Sequence, residues 1–201
     1  MGSISDNSPH SGDAYATPRW VAASLPAEAA WGPNGTFEAT CGKVRLLARS
    51  LDPGCAARQA RTVLEGMLRG AGIDEAAVFD AKLAVAELAG NAERHAGPPY
   101  ELRVYLVEGV PVWCEVIDGD PDLTAVTAAL CRPRAGEDEE LLEGGRGLPL
   151  VRRLAEGHCR AYPATPSCAG TPGKAVGFAL PTPSGVRHAG PPYPVPQARL
   201  P

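Results

Sequence analysis

The sequence predicts an α+β fold, a two-layer sandwich in which a mixed β-sheet carries its helices on one face. Five segments have the composition and alternation of strands, and three have the character of helices. Along the chain their order is strand, helix, helix, strand, strand, helix, strand, strand. An order of this kind places the helices together on one side of a single sheet.

The chain has 201 residues, which is enough for one domain with a substantial core and two tails. Residues 1–41 are rich in Ser, Gly, Pro and Ala and are predicted to be a flexible N-terminal tail. Residues 42–181 form the predicted domain, and the Pro-rich residues 182–201 are predicted to be a disordered tail. The aromatic residues Trp20, Trp31 and Phe37 are unusual for a linker. They favour packing onto the domain over a role as a partner-binding segment.

The first two elements are delimited by turn residues. A strand at 43–50 ends at the turn sequence DPG (52–54). A helix at 55–72 follows and ends at Gly70 and Gly72. Asp74 then fits the N-cap position of a second helix, which reaches about Ala96.

The second half of the predicted domain begins with a hairpin. Two alternating strands lie within residues 101–118 and are joined near Glu108 and Gly109. Residues 119–144 read as a long irregular stretch with an acidic run at 137–140. A short helix at 148–156 and two strands, at 158–162 and 174–180, complete the sheet.

The second helix carries two stripes of side chains. One stripe is apolar and is predicted to face the core: Val78, Ala81, Val85, Leu88 and Ala92. The other holds Glu87, Asn91 and Arg94, with His95 between the two stripes. Gly90 and Asn91 are poor helix formers at the centre of this helix. An ordinary solvated face, and a helix broken at Gly90 with Asn91 as a new cap, are the two alternatives to a binding role.

Two further segments fit a nucleotide ligand beside Glu87 and Asn91. Asp118 ends an apolar strand, where a carboxylate can accept from an exocyclic amine such as that of adenine. The segment GGRGLPLV (144–151) places glycines directly before a helix, whose N-terminal N–H groups suit phosphate oxygens. An Asn oxygen can complete the oxygen shell of a Mg²⁺ ion that phosphates also bind. The combination in this order indicates a site for a ligand with phosphates, a metal ion and a base.

Composition excludes several other classes. The net charge of −4 and the scattered basic residues give no surface typical of nucleic-acid binding. No apolar run approaches the roughly 18 residues of a membrane span, and the first residues do not resemble a secretory signal, so a cytoplasmic protein is expected. The six cysteines form no CxxC pair and are interpreted as reduced thiols, because a metal site at 158–168 lacks a fourth ligand.

These motifs resemble the N, G1 and G2 boxes of the GHKL ATPases, the superfamily that includes DNA gyrase and the ATP-binding domains of histidine kinases. The resemblance covers about residues 42–181 and implies the Bergerat-type ATP-binding fold. Within it, a single domain of this size is similar to the anti-sigma-factor serine/threonine kinases and their ATP-binding regulatory relatives. The residues that carry the match are Glu87, Asn91, His95, Asp118, Gly119, Gly145, Arg146, Gly147 and Leu148.

The resemblance implies a role for several of these residues. Asn91 would ligate Mg²⁺, and Asp118 would bind the adenine amine. Gly145 and Gly147 would wrap the phosphates, residues 120–144 would form a lid, and Glu87 would be the general base. The implied partners are a sigma factor and an anti-sigma-antagonist protein that accepts the phosphate on Ser or Thr. A homodimer is a further expectation, since members of the group often form one.

The sequence departs from the family pattern at two places. The G1 box often reads Asp-x-Gly-x-Gly in the family, whereas here it is Asp118-Gly119-Asp120-Pro121. Before the last strand the family often has Gly-Thr, whereas this chain has Gly173-Lys174. The first departure lies in the loop on the adenine side, whereas Lys174 could meet a phosphate or a water on the adenine side.

Two other functions stay open beside the protein kinase. One is a non-enzymatic module that binds ATP or a protein partner and regulates by docking. The other is a histidine-kinase catalytic domain acting on a separate protein, although no helix pair with a phosphorylatable His precedes the domain. A gyrase-like machine is not expected, because no transducer domain follows.

Overall fold

The computed structural model describes residues 35–131, 147–167 and 169–193. Six strands and four helices lie within them, in an order close to the predicted one. The strands are β1 (Thr36–Cys41), β2 (Val44–Leu51), β3 (Tyr100–Val107), β4 (Val110–Asp118), β5 (Cys159–Ala164) and β6 (Gly173–Ala179). The helices are α1 (Ala56–Gly70), α2 (Glu75–His95), α3 (Thr124–Cys131) and α4 (Gly147–Leu154).

The six strands form one sheet in the order β1-β2-β3-β4-β6-β5, and the α+β class is confirmed. The prediction of a mixed sheet was wrong in detail, because each neighbouring pair among the described strands is antiparallel. The described part of the long connection between β4 and β6 contains α3, α4 and the edge strand β5, and β6 pairs with β4 in the opposite direction.

Strand β1 is an addition to the predicted elements. The sequence assigned residues 36–41 to the flexible tail, whereas they pair with β2 from Thr36–Arg49 to Cys41–Val44. A two-residue turn joins the strands, and its Gly42 has a φ of 56°, which a glycine adopts without strain. Phe37, placed with the tail aromatics from the sequence, is buried on this strand.

Helix α2 runs through Gly90 and Asn91 without a break. The predicted cap is confirmed, since the Asp74 carboxylate accepts from the N–H groups of Ala76 and Ala77 at 3.1 and 3.0 Å. The broken-helix alternative is wrong. The predicted apolar stripe is confirmed as well, because each of its five residues is buried against the sheet and α1.

Both faces of the sheet are covered. The helices cover one face, where alternate residues of the central strands, such as Leu102 and Val116, join the main core. The opposite face has a second apolar cluster that includes Trp113 and Ile117. The polar members of the alternating strands are therefore buried rather than solvated.

A charged and phenolic network lies within this second face. Arg103 donates to Glu101 at 2.5 Å, and both side chains are almost fully buried. The Glu115 carboxylate accepts from the phenol groups of Tyr105 and Tyr162. Because each buried charge has hydrogen-bond partners, the cost of removing it from water is reduced.

Parts of the C-terminal segment pack against the domain. The sequence assigned residues 182–201 to a disordered tail, but Arg187 contacts the helical side of the sheet and Tyr193 the opposite face. Arg187 donates to Glu156 and to the carbonyl of Ala179, both at 2.9 Å. Tyr193 reaches Glu115, with a hydroxyl–carboxylate distance of 3.2 Å. The folded unit thus extends beyond residue 181.

Candidate nucleotide site

A cavity of about 670 Å³ lies on the helical side of the sheet, between α2, α3, α4 and the adjoining ends of β4 and β6. Its volume falls within the range of roughly 300–1,000 Å³ that is usual for small-molecule sites. Six of the residues predicted to act on a nucleotide line it: Glu87, Asn91, His95, Asp118, Gly147 and Leu148. The fold therefore brings together residues as far apart in the sequence as Glu87 and Leu148.

One end of the cavity is formed where α4 meets α2. Glu87 and Asn91 are one turn apart on α2, and both side chains point at Gly147, the first residue of α4. A Cβ added at Gly147 would lie 2.7 Å from Oε2 of Glu87 and 3.1 Å from Nδ2 of Asn91. Only a glycine lets the start of α4 approach these side chains so closely. Gly147 and Leu148 line the cavity, so the first turn of α4, whose N–H groups have no partner within the helix, lies at this end.

Arg94 is a cavity residue for which no individual role was predicted. Its Nη2 donates to Oδ1 of Asn91 at 2.8 Å, and its guanidinium lies over Gly90, where an added Cβ would be 3.4 Å from Nη1. The glycine that weakens the helix thus leaves space for this side chain. Arg94 also supplies positive charge near the N-terminus of α4.

The other end of the cavity is formed by Asp118 and Lys174. These residues are direct cross-strand partners at the end of β4 and the start of β6, and both are largely buried. Nζ of Lys174 donates to Oδ1 of Asp118 at 2.9 Å. Burial raises the pKa of Asp118 above its usual value, and the hydrogen bond from Lys174 opposes that rise.

Asp120 completes this arrangement. Lys174 donates to its carboxylate and to its backbone carbonyl, each at 3.0 Å. The hydrogen bonds from the Asp122 N–H and from Lys174 lower the pKa of Asp120. The two departures from the family pattern, an added carboxylate and a lysine, thus form an ion pair with each other.

Gly119 has a packing role beside the cavity and does not line it. Its N–H donates to the carbonyl of Gly97 at 2.9 Å, and an added Cβ would lie 2.6 Å from the carbonyl oxygen of Pro98. Gly173 is equally restricted, because a Cβ there would lie 2.0 Å from the carbonyl oxygen of Asp118. Two close backbone approaches thus fix the position of Asp118.

Helix α3 lies within the stretch that the sequence described as irregular. Three aspartates precede it at alternate positions, and each accepts from the N–H two residues later: Asp118 from Asp120, Asp120 from Asp122, and Asp122 from Thr124. These turns lead the chain into α3, whose Ala125, Val126 and Ala129 line the cavity. The alternating aspartates were the available sequence signal for this helix start.

Gly145 and Arg146, predicted to bind the nucleotide, lie outside the described residues, as do residues 132–144 of the predicted lid. His95 lines the cavity at the exposed C-terminal end of α2. The individual roles assigned to the site residues stay predictions, since geometry alone does not test them.

Asn91 is the residue best suited to a magnesium ion. The Asn91 oxygen accepts one hydrogen bond, from Arg94, and its second lone pair is available for a metal. Hard amide and phosphate oxygens are the ligands that Mg²⁺ prefers. The residues present therefore fit a Mg²⁺ held jointly by the protein and a bound triphosphate.

None of the described helices is both long and apolar enough to cross a membrane.

Comparison with known proteins supports a nucleotide site. No curated protein matches the chain. The histidine kinase-like ATPase domain matches residues 50–168, more than half of the 201 residues, and this range contains the whole α2 helix, Asp118 and α4. The chain therefore belongs to the histidine kinase-like ATPase domain family, whose members have an ATP-binding domain of this fold.

Proposed function

We propose that this protein is a MgATP-dependent serine/threonine protein kinase of the anti-sigma-factor type. The observation that carries the proposal is the placement of Glu87 and Asn91 side by side at the N-terminus of α4. This pair lies at one end of the cavity, and Asp118 lies at the other. A nucleotide with its base at Asp118 would therefore extend its phosphates toward a carboxylate, an amide and a helix N-terminus.

The base end has one carboxylate oxygen available. Oδ1 of Asp118 accepts from Lys174 and from the N–H of Asp120, whereas Oδ2 has no hydrogen-bond partner within the described part of the chain. An exocyclic amine is a donor, and a carboxylate oxygen is the acceptor that matches it. This match supports adenine as the base.

The phosphate end combines neutral and positive groups. The N-terminal N–H groups of α4 suit phosphate oxygens, and Asn91 would hold Mg²⁺ through its amide oxygen. Arg94, one turn along α2, would add positive charge near the phosphates. Bound Mg²⁺ would neutralise negative charge on the phosphates.

Glu87 is placed to act on the acceptor hydroxyl. Its carboxylate makes no hydrogen bond or ion pair among the described residues, so it is available as a proton acceptor. In the proposed reaction Glu87 takes the proton of a Ser or Thr hydroxyl as that oxygen bonds to the γ-phosphorus. The bond from the γ-phosphorus to the bridging oxygen breaks, and ADP leaves.

The proposed acceptor is a small anti-sigma-antagonist protein, and the proposed binding partner of the unphosphorylated kinase is a sigma factor. Both would be met in the cytoplasm, and a homodimer of the domain is part of the proposal. The support for these partners is the resemblance of the single domain to anti-sigma-factor kinases.

The test is phosphotransfer from γ-labelled ATP to the anti-sigma-antagonist proteins of the same organism, presented one at a time. We expect phosphoserine or phosphothreonine on one of them with the wild-type protein, and no transfer with Glu87→Ala. The matched control is Asp80→Ala, which changes a carboxylate of the same helix outside the nucleotide cavity.

Two other outcomes would replace the proposal. Tight binding of a partner without transfer would identify a docking module that regulates without catalysis. Transfer of phosphate to a histidine, recognised by its acid lability, would identify a histidine-kinase catalytic domain acting on a separate protein.

A further inference from the structure

Lys174 is the residue at the base end that the family pattern does not explain. It is the second residue of β6, directly across from Asp118 on β4, and only 8% of its surface is exposed. A buried ammonium is costly unless it is paired and fully hydrogen-bonded. The acceptors around its ammonium group therefore indicate the role of Lys174.

The ammonium of Lys174 has three N–H donors, and the structure supplies three acceptors. They are Oδ1 of Asp118 at 2.9 Å, the carbonyl oxygen of Asp120 at 3.0 Å and the carboxylate of Asp120 at 3.0 Å. No donor remains for a ligand. Lys174 therefore acts on a ligand only through the carboxylates that it holds.

Asp118 is held in a defined orientation by these contacts. Its Oδ1 accepts both from Lys174 and from the N–H of Asp120 at 3.0 Å. The carbonyl of Asp118 lies against Gly173, so the backbone cannot move without displacing the start of β6. The carboxylate then has a single oxygen, Oδ2, left for the cavity.

We propose that Lys174 is a positioning residue for nucleobase recognition: it fixes Oδ1 of Asp118, so that Oδ2 alone is presented, ionised, to the exocyclic amine of adenine. The inference rests on the proposed ATP site and adds to it the residue that sets its selectivity for the base. Asp120 is the second anchor of the lysine.

The ionisation of Asp118 gives the inference a measurable consequence. The titratable groups that interact with its carboxyl are Lys174 on β6, Asp120 in the next loop and Tyr100 on β3, while His95 and Asp122 line the same cavity. Lys174 is the cation bonded to Asp118, and burial raises the pKa of the carboxyl. Without the lysine that pKa rises further, so Asp118 becomes protonated at a higher pH than in the wild-type protein and then loses its acceptor character.

The experiment compares two nucleotides that differ only in the exocyclic amine: ATP and the triphosphate of unsubstituted purine riboside. Their dissociation constants are measured with Mg²⁺ at about pH 8 and about pH 6, and the ratio of the two is taken at each pH. Both nucleotides carry the same triphosphate, so its own titration cancels in the ratio.

For the wild-type protein we expect a preference for ATP of roughly tenfold or more at both pH values, since a hydrogen bond to a charged group has about that effect. For Lys174→Met we expect the preference to fall about threefold at about pH 8 and to be largely lost at about pH 6. Lys174→Arg keeps the charge and should restore a preference independent of pH. Lys82→Met, on α2 outside the cavity, is the matched control.

Lys174→Gln is a second variant, which keeps donors for the same acceptors but removes the charge. It tests the inference if Lys174→Met does not fold, and we expect the same pH-dependent loss of preference. An unchanged ratio in folded Lys174→Met or Lys174→Gln, with wild-type binding of ATP intact, would overturn this inference alone. If the wild-type protein binds neither nucleotide, the proposed function fails and this inference fails with it.

Discussion

Asn91 on α2 and Gly147 at the start of α4 lie in direct contact, so close that a methyl group at Gly147 would come within 3.1 Å of Nδ2 of Asn91. The contact links the helix that would hold a metal ion to the helix whose N-terminus would hold phosphates. It also locates Asn91 on the cavity side of α2, away from the main core.

Asn91→Ala should remove binding of MgATP and leave the fold intact. The side chain is half-buried and its only described hydrogen bond is to the exposed Arg94, so the free energy of unfolding should change by less than about 1 kcal/mol. Calorimetric titration with MgATP measures the first effect and thermal denaturation the second. Lys82→Ala, on the same helix, should bind MgATP as the wild-type protein does. An Asn91→Ala protein that is unfolded would contradict the assignment of this residue to the ligand stripe.

Asp118→Asn should weaken binding of ATP by about 10- to 100-fold, because a hydrogen bond to a charged acceptor is replaced by one to a neutral amide. Binding of the triphosphate of unsubstituted purine riboside, which has no amine for Asp118 to accept from, should change much less. Competition against a fluorescent nucleotide gives both constants. Equal losses for the two nucleotides would show that Asp118 does not contact the amine.

Gly119→Ala should destabilise the fold by about 1–3 kcal/mol, since the new methyl group collides with backbone that cannot move independently. The added Cβ would lie 2.6 Å from the carbonyl oxygen of Pro98. Urea denaturation measures the change.

The matched control for that variant is Gly66→Ala, at an exposed position in α1 with no atom within 4 Å of the added Cβ. It should raise the free energy of unfolding by up to about 1 kcal/mol, because alanine favours a helix. A Gly119→Ala protein as stable as Gly66→Ala would show that the close approach to Pro98 is absent in solution.

Glu115→Gln should change how stability depends on pH. Burial raises the pKa of Glu115 above its usual 4.5, and Arg103 and the three tyrosines only partly offset it. Between about pH 4.5 and the raised pKa the unfolded chain loses this proton while the folded protein keeps it, so stability falls as pH rises. For this one group the free energy of unfolding falls by at most about 1.4 kcal/mol per pH unit, and Glu115→Gln lacks this contribution.

Urea denaturation at several pH values from about 5 to 8 measures this difference. The free energy of unfolding of Glu115→Gln, relative to that of the wild-type protein, should rise with pH. If the free energy of unfolding had the same pH dependence in both proteins over this range, Glu115 would ionise at the same pH in the folded and unfolded protein.

The parts of the fold that local pattern governs could be predicted from the sequence. Helix α2 has an N-cap and a periodic apolar stripe, and the predicted cap and stripe were confirmed. Glu87 and Asn91 could be placed on one face because residues four apart in a helix are neighbours. For residues of one helix, the spacing in the sequence shows directly which side chains lie on the same face.

Relationships that depend on strand register could not be predicted. Lys174 and Asp118 are 56 positions apart, and only the antiparallel pairing of β4 with β6 makes them partners. The buried Arg103–Glu101 pair is similar. Polar residues at alternate positions of a strand indicate a solvent-exposed face of the sheet, whereas the structure buries this face. Strand β1 was missed since its short hairpin lies at the end of a segment with the composition of a tail.

The three acceptors around Lys174 constrain how related sequences can diverge. Loss of the lysine alone would leave Asp118 and Asp120 as neighbouring carboxylates without a cation, which is costly for a buried group. Positions 120 and 174 should therefore change together during evolution. In an alignment of relatives, chains with the family's glycine in place of Asp120 should carry its threonine in place of Lys174, and chains that mix the two patterns should be rare.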